Sequence, residues 1–207
     1  PMFNENKEIC IIFNGEIYNF KELRIDLEHK GHIFKSNCDT EVIVHGYEEY
    51  GIDILSRLDG MFAFSIWDSK KEQLLLARDR IGKKPLHYYL KGKKFIFASE
   101  IKSILVHNIE RDINNDCLSD YLTLRFSPEN KTMFRDINKL PPGGYSIFKD
   151  KKITINKYYN LPEFNKRNKP DLTKVDKLIT NSIKKRLISD IPLGVFLSGG
   201  LDSSTDV

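Results

Sequence analysis

Residues 8–19 read EICIIFNGEIYN, and the fold turns on how this stretch and the residues after it are arranged. Residues 8–13 are a short apolar run of the length of a buried strand. Asn14-Gly15 comes next. Both residues tolerate positive φ, so the pair predicts a tight turn. Ile17 and Tyr18 resume the apolar pattern, and Asn19 with Glu22 has the spacing of a capping box. Phe20, Leu23 and Leu27 recur at i, i+3 and i+7, which predicts a helix stopped by Gly31. A polar turn over residues 36–39 leads into Thr40-Glu41 and a second helix. Its apolar face is Val42, Ile43, Tyr47 and Tyr50, and Gly51 ends it. Then the periodicity changes. Residues 60–67 are nearly all apolar, and residues 73–77 are a second strand candidate. Residues 85–90 and 94–98 make a hairpin through Lys91-Gly92. Short helices are expected at 100–105 and 117–124. A turn falls at 141–144, and a last hairpin pairs 145–148 with 152–155. Two helices followed by several strands argue for an α+β layered fold with antiparallel pairing in its second half.

The C-terminal part has a different character. Residues 157–172 are polar, basic and proline-containing, as an interdomain linker is. Thr173 with Asp176 caps a predicted helix whose stripe is Val175, Leu178, Ile179, Ile183 and Leu187. Residues 193–197 read as a buried strand running into Ser198-Gly199-Gly200-Leu201-Asp202-Ser203-Ser204. The glycines permit tight bending, and successive backbone N–H groups with the three serine hydroxyls can face an anion. A helix starting after Asp202 would add its N-terminal field. Asp202 either supports a divalent cation or holds the loop by accepting N–H bonds. The loop is not GxxxxGK[ST], so it is no ordinary NTPase loop. On residues alone a plain capped strand-to-helix turn fits as well.

Composition narrows the classes. The 207 residues carry a formal charge of +4, with 40% hydrophobic and 30% charged residues. Residues 149–187 hold 12 Lys/Arg against 4 Asp/Glu, a local net of +8. No zinc-finger or RNP-like pattern accompanies that charge, so a nucleic-acid partner is disfavoured and a solvated face is the simpler reading. The three cysteines, Cys10, Cys38 and Cys117, form no CxxC pair, which argues against a disulfide or metal framework and fits a cytoplasmic protein. Cys10 and Cys38 read as small buried or half-buried groups. No apolar run approaches the ~20 residues of a membrane span.

The NG pair also has a chemical reading. An Asn side-chain amide and a Gly backbone N–H can point at one atom and stabilise an oxyanion during amide hydrolysis. Glu16 can accept from a substrate ammonium, and Asp39 and Glu41 lie where either can reach the same place. Spacing alone also allows a simple hairpin turn with the acids as caps.

Here a resemblance enters. SGGLDSS after a strand resembles the pyrophosphate loop of the ATP pyrophosphatases, and DIPLGVFLSGG resembles their asparagine synthetase branch. NGEIYN followed by CDTEVI resembles the glutaminase domain of the class-II, N-terminal-nucleophile amidotransferases. Residues 60–67, 78–86 and 97–100 also resemble the asparagine synthetase pattern. The last two are expected to shape the core, with Arg78 and Asp79 as a salt bridge. The resemblance implies an incomplete αββα sandwich over residues 1–156, a linker at 157–172 and the start of an α/β adenylating domain at 173–207. It implies Asn14 and Gly15 as the oxyanion hole and Glu16 and Asp39 as the site for the amino-acid end of glutamine. Ser198, Gly199, Gly200, Asp202, Ser203 and Ser204 would line the pyrophosphate end of an ATP site, with Mg2+ alongside. The implied reaction is ATP-dependent amidation of aspartate by ammonia from glutamine, through β-aspartyl-AMP. A homodimeric full-length protein is one assembly it allows. A related synthetase amidating a peptide or cell-surface sugar precursor, or a degenerate non-catalytic homologue, is compatible with the same residues. The family's nucleophile is an N-terminal cysteine with its free amine as base, and an arginine nearby holds the glutamine carboxylate. This chain opens Pro1-Met2-Phe3-Asn4. The expectation is a chain lacking an N-terminal stretch and most of the synthetase domain, with open sheet edges and no activity of its own.

Overall fold

A computed structural model describes residues 1–128, 130–163, 171–188 and 192–205. They form two units, Pro1–Asn160 and Leu161–Val207. The first unit runs β1 (Met2–Phe3), β2 (Ile9–Ile17), α1 (Phe20–His29), α2 (Asp39–Tyr50), α3 (Ile54–Arg57), β3 (Gly60–Asp68) and β4 (Gln73–Arg78). It continues through β5 (His87–Lys91), β6 (Lys94–Ala98), α4 (Ile101–Leu105), α5 (Asn115–Leu124), β7 (Ile137–Lys139), β8 (Gly144–Lys149) and β9 (Lys152–Lys157). A six-stranded sheet has the order β1-β2-β3-β4-β8-β9, and a three-stranded sheet the order β6-β5-β7. Every pairing is antiparallel.

Strand alternation explains the layers. Phe62, Phe64 and Ile66 of β3 and Leu75 and Ala77 of β4 face α1 and α2, burying Leu23, Leu27, Val42 and Ile43. The intervening Ala63 and Leu76 face the other way, onto Leu86, Tyr88 and the partly buried Phe95 and Phe97 of the smaller sheet. In β5 the next residue, Tyr89, points outward again and packs with Ile104 of α4 and Ile137 of β7. The order is helices, sheet, sheet, helix. Period 2 along each strand supplies an apolar residue to both faces, as a doubly covered sheet requires.

The Asn14-Gly15 turn is overturned. β2 passes straight through it and pairs with β3 over nine residues, from Ile9 with Asp68 to Ile17 with Gly60. The glycine serves close approach instead. A Cβ on Gly15 would lie 2.2 Å from the Met61 carbonyl oxygen and 2.7 Å from Phe62 Cα. The capping box is overturned too. Asn19 caps nothing with its side chain. It donates to Arg57 O and accepts from Asp59 N, tying the end of β2 to the entry of β3. α2 is buried on more than the expected face, including Glu41, His45 and Gly46, because the α3 residue Ile54 closes on the bare side at Gly46.

Arg78 and Asp79 do not form an ion pair with each other. Arg78 donates to the carbonyls of Gly82, Lys84 and Leu140 at 2.7–2.8 Å. Asp79, 1% exposed, accepts from the amides of Phe62, Ile81, Lys83 and Lys84. Side by side, cation and anion each satisfy a turn whose backbone has no ladder partner. Of the cysteines, Cys117 is buried, Cys10 half-buried and Cys38 exposed.

In the second unit α6 (Leu172–Arg186) is capped by Asp171, whose side chain accepts from Lys174 N, and not by Thr173. Val175, Leu178, Ile179 and Leu187 are exposed. Residues 193–197 are exposed and form no strand, with Phe196 99% exposed, so the buried-strand expectation fails. A strand exists only through a neighbour's hydrogen bonds, and no neighbour stands beside this segment among the described residues. A short helix, α7 (Leu201–Thr205), does follow the glycine loop. Part of the expected linker, residues 164–170, and residues 189–191 lie outside the described residues.

Candidate active site

The C-terminal end of β2 carries the site. Asn14 and Glu16 share one face of the strand by alternation, the face turned toward the smaller sheet. The Asn14 amide nitrogen donates to Ser99 Oγ at 3.2 Å. Ser99 follows β6, and its carbonyl lies 2.9 Å from His87 Nδ1. Burial holds the His87 imidazole below its usual range, with Arg78 and Lys139 adding to the effect and the Ser99 carbonyl opposing it. The neutral ring then donates from Nδ1. Asn14 and Ser99 stand on a cavity of about 250 Å³ with Ile12, Ala63, Leu86 and Phe97. It exists because three strands cannot cover six: beyond β6 the inner face of β2 is bare, and Ile12 is 57% exposed.

The backbone of β2 sorts by direction. Tyr18 N donates across to Asp59 O, whereas Ile17 N turns to the opposite edge and donates to Asp39 Oδ2 at 2.9 Å. Phe62, which faces Gly15, gives its N–H and its C=O to Asp79. Gly15 and Phe62 are therefore a non-hydrogen-bonded pair. The Gly15 N–H, in step with Ile17, leaves on the Asp39 edge. There β1 pairs only with Cys10 and Ile11, so the edge is open at Gly15. Asp39 is the first residue of α2, and the helix field favours its negative charge. The fold thus puts an N–H donor, an anchored carboxylate and the half-buried Glu16 along three residues of strand. Gly15, Glu16 and Asp39 do not line the 250 Å³ cavity, which ends at Asn14.

Glu41, a substrate acid beside Asp39 on sequence grounds, is otherwise engaged. It is 3% exposed and accepts from Lys35 N, Ser36 N and Ser36 Oγ. Burial opposes its charge, yet those hydrogen bonds hold its carboxyl below the usual range.

In the second unit the glycine loop curls on itself. Ser198 Oγ lies 2.9 Å from Ser203 Oγ, and Ser203 Oγ donates to Gly200 O. Gly199 sits at φ +78°, a conformation glycine adopts without penalty. Ser204 N donates to Gly200 O as α7 starts, and Asp202 lies in its first turn.

A family profile described as "Glutamine amidotransferase domain" matches residues 1–159. The chain belongs to that family. A second profile, "Asparagine synthase", matches residues 174–205. Among its relatives, "Asparagine synthetase [glutamine-hydrolyzing] 1" of Bacillus subtilis is 40% identical over 99% of this chain and 33% of its own length. An Arabidopsis thaliana protein of the same name is 37% identical over 99% of this chain and 30% of its own. The chain therefore spans about a third of the length of these relatives. Among solved structures, the glutamine phosphoribosylpyrophosphate amidotransferase from B. subtilis, complexed with ADP and GMP, superposes with a TM-score of 0.53 at 22% identity. It covers 76% of this chain and 31% of that one, a likeness of fold.

Sequence reasoning misses Ser99. FASE reads as core-shaping, yet its serine positions the Asn14 amide across 85 residues of chain. The one signal for it is a lone hydroxyl in an otherwise apolar strand end.

Proposed function

We propose that the chain is part of a glutamine-hydrolysing asparagine synthetase, and that residues 14–16 with Asp39 handle the glutamine. The supporting observation is the open edge of β2, where the Gly15 N–H emerges between the Ser99-held Asn14 amide and the Asp39 carboxylate on Ile17 N. Two N–H donors fixed before substrate arrives stabilise the oxyanion without reorganisation. Glu16 and Asp39 take the α-ammonium, which orients the amide toward those donors. The nucleophile that the family resemblance implies, a cysteine at the mature N-terminus, would attack the amide carbon held there. The released ammonia attacks β-aspartyl-AMP, giving asparagine and AMP after pyrophosphate has left. Aspartate needs this activation because a carboxylate oxygen is a poor leaving group until adenylated. Ser198, Gly199, Gly200, Ser203 and Ser204 hold the pyrophosphate end of ATP. Asp202 is a hard oxygen donor beside them, the ligand type Mg2+ takes alongside nucleotide phosphates.

The test is ammonia release from glutamine. The 207-residue chain alone is expected to give none, and to release no pyrophosphate from ATP with aspartate. Preceded by a cysteine-led N-terminal segment of the family type, it is expected to hydrolyse glutamine. In that protein Asn14→Ala lowers kcat about a hundredfold or more, the effect of deleting one oxyanion donor. An unchanged kcat in Asn14→Ala would remove the assignment.

A further inference from the structure

At the other end of α2, away from the glutamine residues, lies a second cluster. His45 is 1% exposed, and neither of its ring nitrogens makes an aligned hydrogen bond. Its Nε2 faces Glu41 Oε1 at 3.6 Å, and its Nδ1 faces Glu5 Oε2 at 3.2 Å. Glu41 is held in place by its hydrogen bonds from Lys35 and Ser36, which leave one Oε1 lone pair toward His45. His32 repeats the arrangement: Nδ1 lies 3.6 Å from Glu5 Oε1, and Nε2 3.6 Å from Glu49 Oε2. The two rings are 5.1 Å apart. Glu48 completes the group. One ligand atom from each of Glu5, His32, His45 and Glu48 falls within 4.8 Å of every other.

In its neutral form a buried imidazole offers an N–H to only one of two flanking carboxylates, and its other nitrogen then turns a lone pair toward an acceptor, a gap a cation can fill. With Nε2–H directed at Glu41, the Nδ1 lone pair is aimed at Glu5, an acceptor. We propose that this cluster binds a divalent transition-metal ion of the zinc class through Glu5, His32 Nδ1, His45 Nδ1 and Glu48. Two imidazoles with two carboxylates are a donor set for zinc rather than for Mg2+ or Ca2+. Each histidine then backs onto a carboxylate through Nε2, the arrangement that orients metal-bound imidazoles. The carboxylate ligands are held as well. Glu5 Oε1 accepts from Ile33 N, and Glu48 Oε2 accepts from Asn4 Nδ2, whose Oδ1 in turn takes Ile9 N. The ion joins the β1–β2 turn, the segment after α1, and α2. Its role is to brace the helical layer, and it takes no part in glutamine chemistry.

Titration of the purified, metal-stripped 207-residue chain with Zn2+ tests this. The expected result is one equivalent bound with a rise in Tm. Co2+ should give the visible bands of a four-coordinate nitrogen–oxygen site, and excess Mg2+ should displace neither ion. Glu48→Gln alters an exposed side chain and keeps the acceptor for Asn4, and His32→Gln removes one imidazole. Each is expected to lose tenfold or more in affinity while its metal-free Tm stays near that of the unsubstituted chain. A flat titration, or binding equally strong in both variants, overturns the proposal and leaves the cluster a purely structural one.

Discussion

At Gly15 a single hydrogen atom in place of a side chain allows β2 and β3 to close on each other while the N–H stays outward. Gly15→Ala places a methyl group 2.2 Å from the Met61 carbonyl oxygen, so the strands must part. The expected loss is about 1–3 kcal/mol, the usual cost of forcing extra volume into packed structure, read as a lower urea midpoint with unchanged slope. NGEI and Asp39 stand out in the sequence as candidates for chemistry. Their geometry does not, because NG favours a turn only where no neighbouring strand holds it extended. Glu41 gives a pH dependence. Its folded-state carboxyl titrates below its ordinary value of 4.5, so the unfolded chain takes up the proton first as acid is added. Its contribution is complete above that value and is lost as the pH falls through the lower, folded-state one. Melting curves across acid pH should show Tm falling there. Glu41→Gln should lower Tm near neutrality and make the acid limb shallower.

Among the elements, those with a sheet neighbour and those without one behave differently. β2, β3 and β4 lie centrally in the six-stranded sheet, with Ile11, Phe64, Ile66 and Leu75 at 1% exposure or less. α6 is amphipathic and well capped, yet none of its residues is buried. Fifteen residues of helix without packing are marginal in water. Hydrogen exchange should therefore be fast throughout α6 and residues 193–205 and slowest in β2, β3 and β4. Protection of α6 equal to that of β3 would show that its stripe is covered. The stripe of Val175, Leu178 and Ile179 was legible as periodicity. Periodicity reports that a face wants burial; it cannot say what lies against that face.

Across the amidotransferase unit Arg78 is a polar tie between the two sheets. It extends from the end of β4 to the carbonyl of Leu140, just past β7, while also holding Gly82 and Lys84. Arg78→Met leaves three carbonyls short of a donor, and the expected cost is on the order of 2–4 kcal/mol in urea unfolding. Arg78→Lys should recover only part of it, since an ammonium cannot reproduce the planar fork. The sequence by itself determined the α+β class, the placement of most helices and strands, and the two motifs at its ends, because periodicity, turn residues and motif spacing are local properties. Tertiary structure alone decided that β2 runs unbroken past Gly15, that Ser99 holds Asn14, that Arg78 and Asp79 serve backbone groups, and that two histidines and two glutamates gather beside α2. Each of those depends on what a distant stretch of chain brings within hydrogen-bonding or packing distance, and such a neighbour leaves no mark on the local pattern.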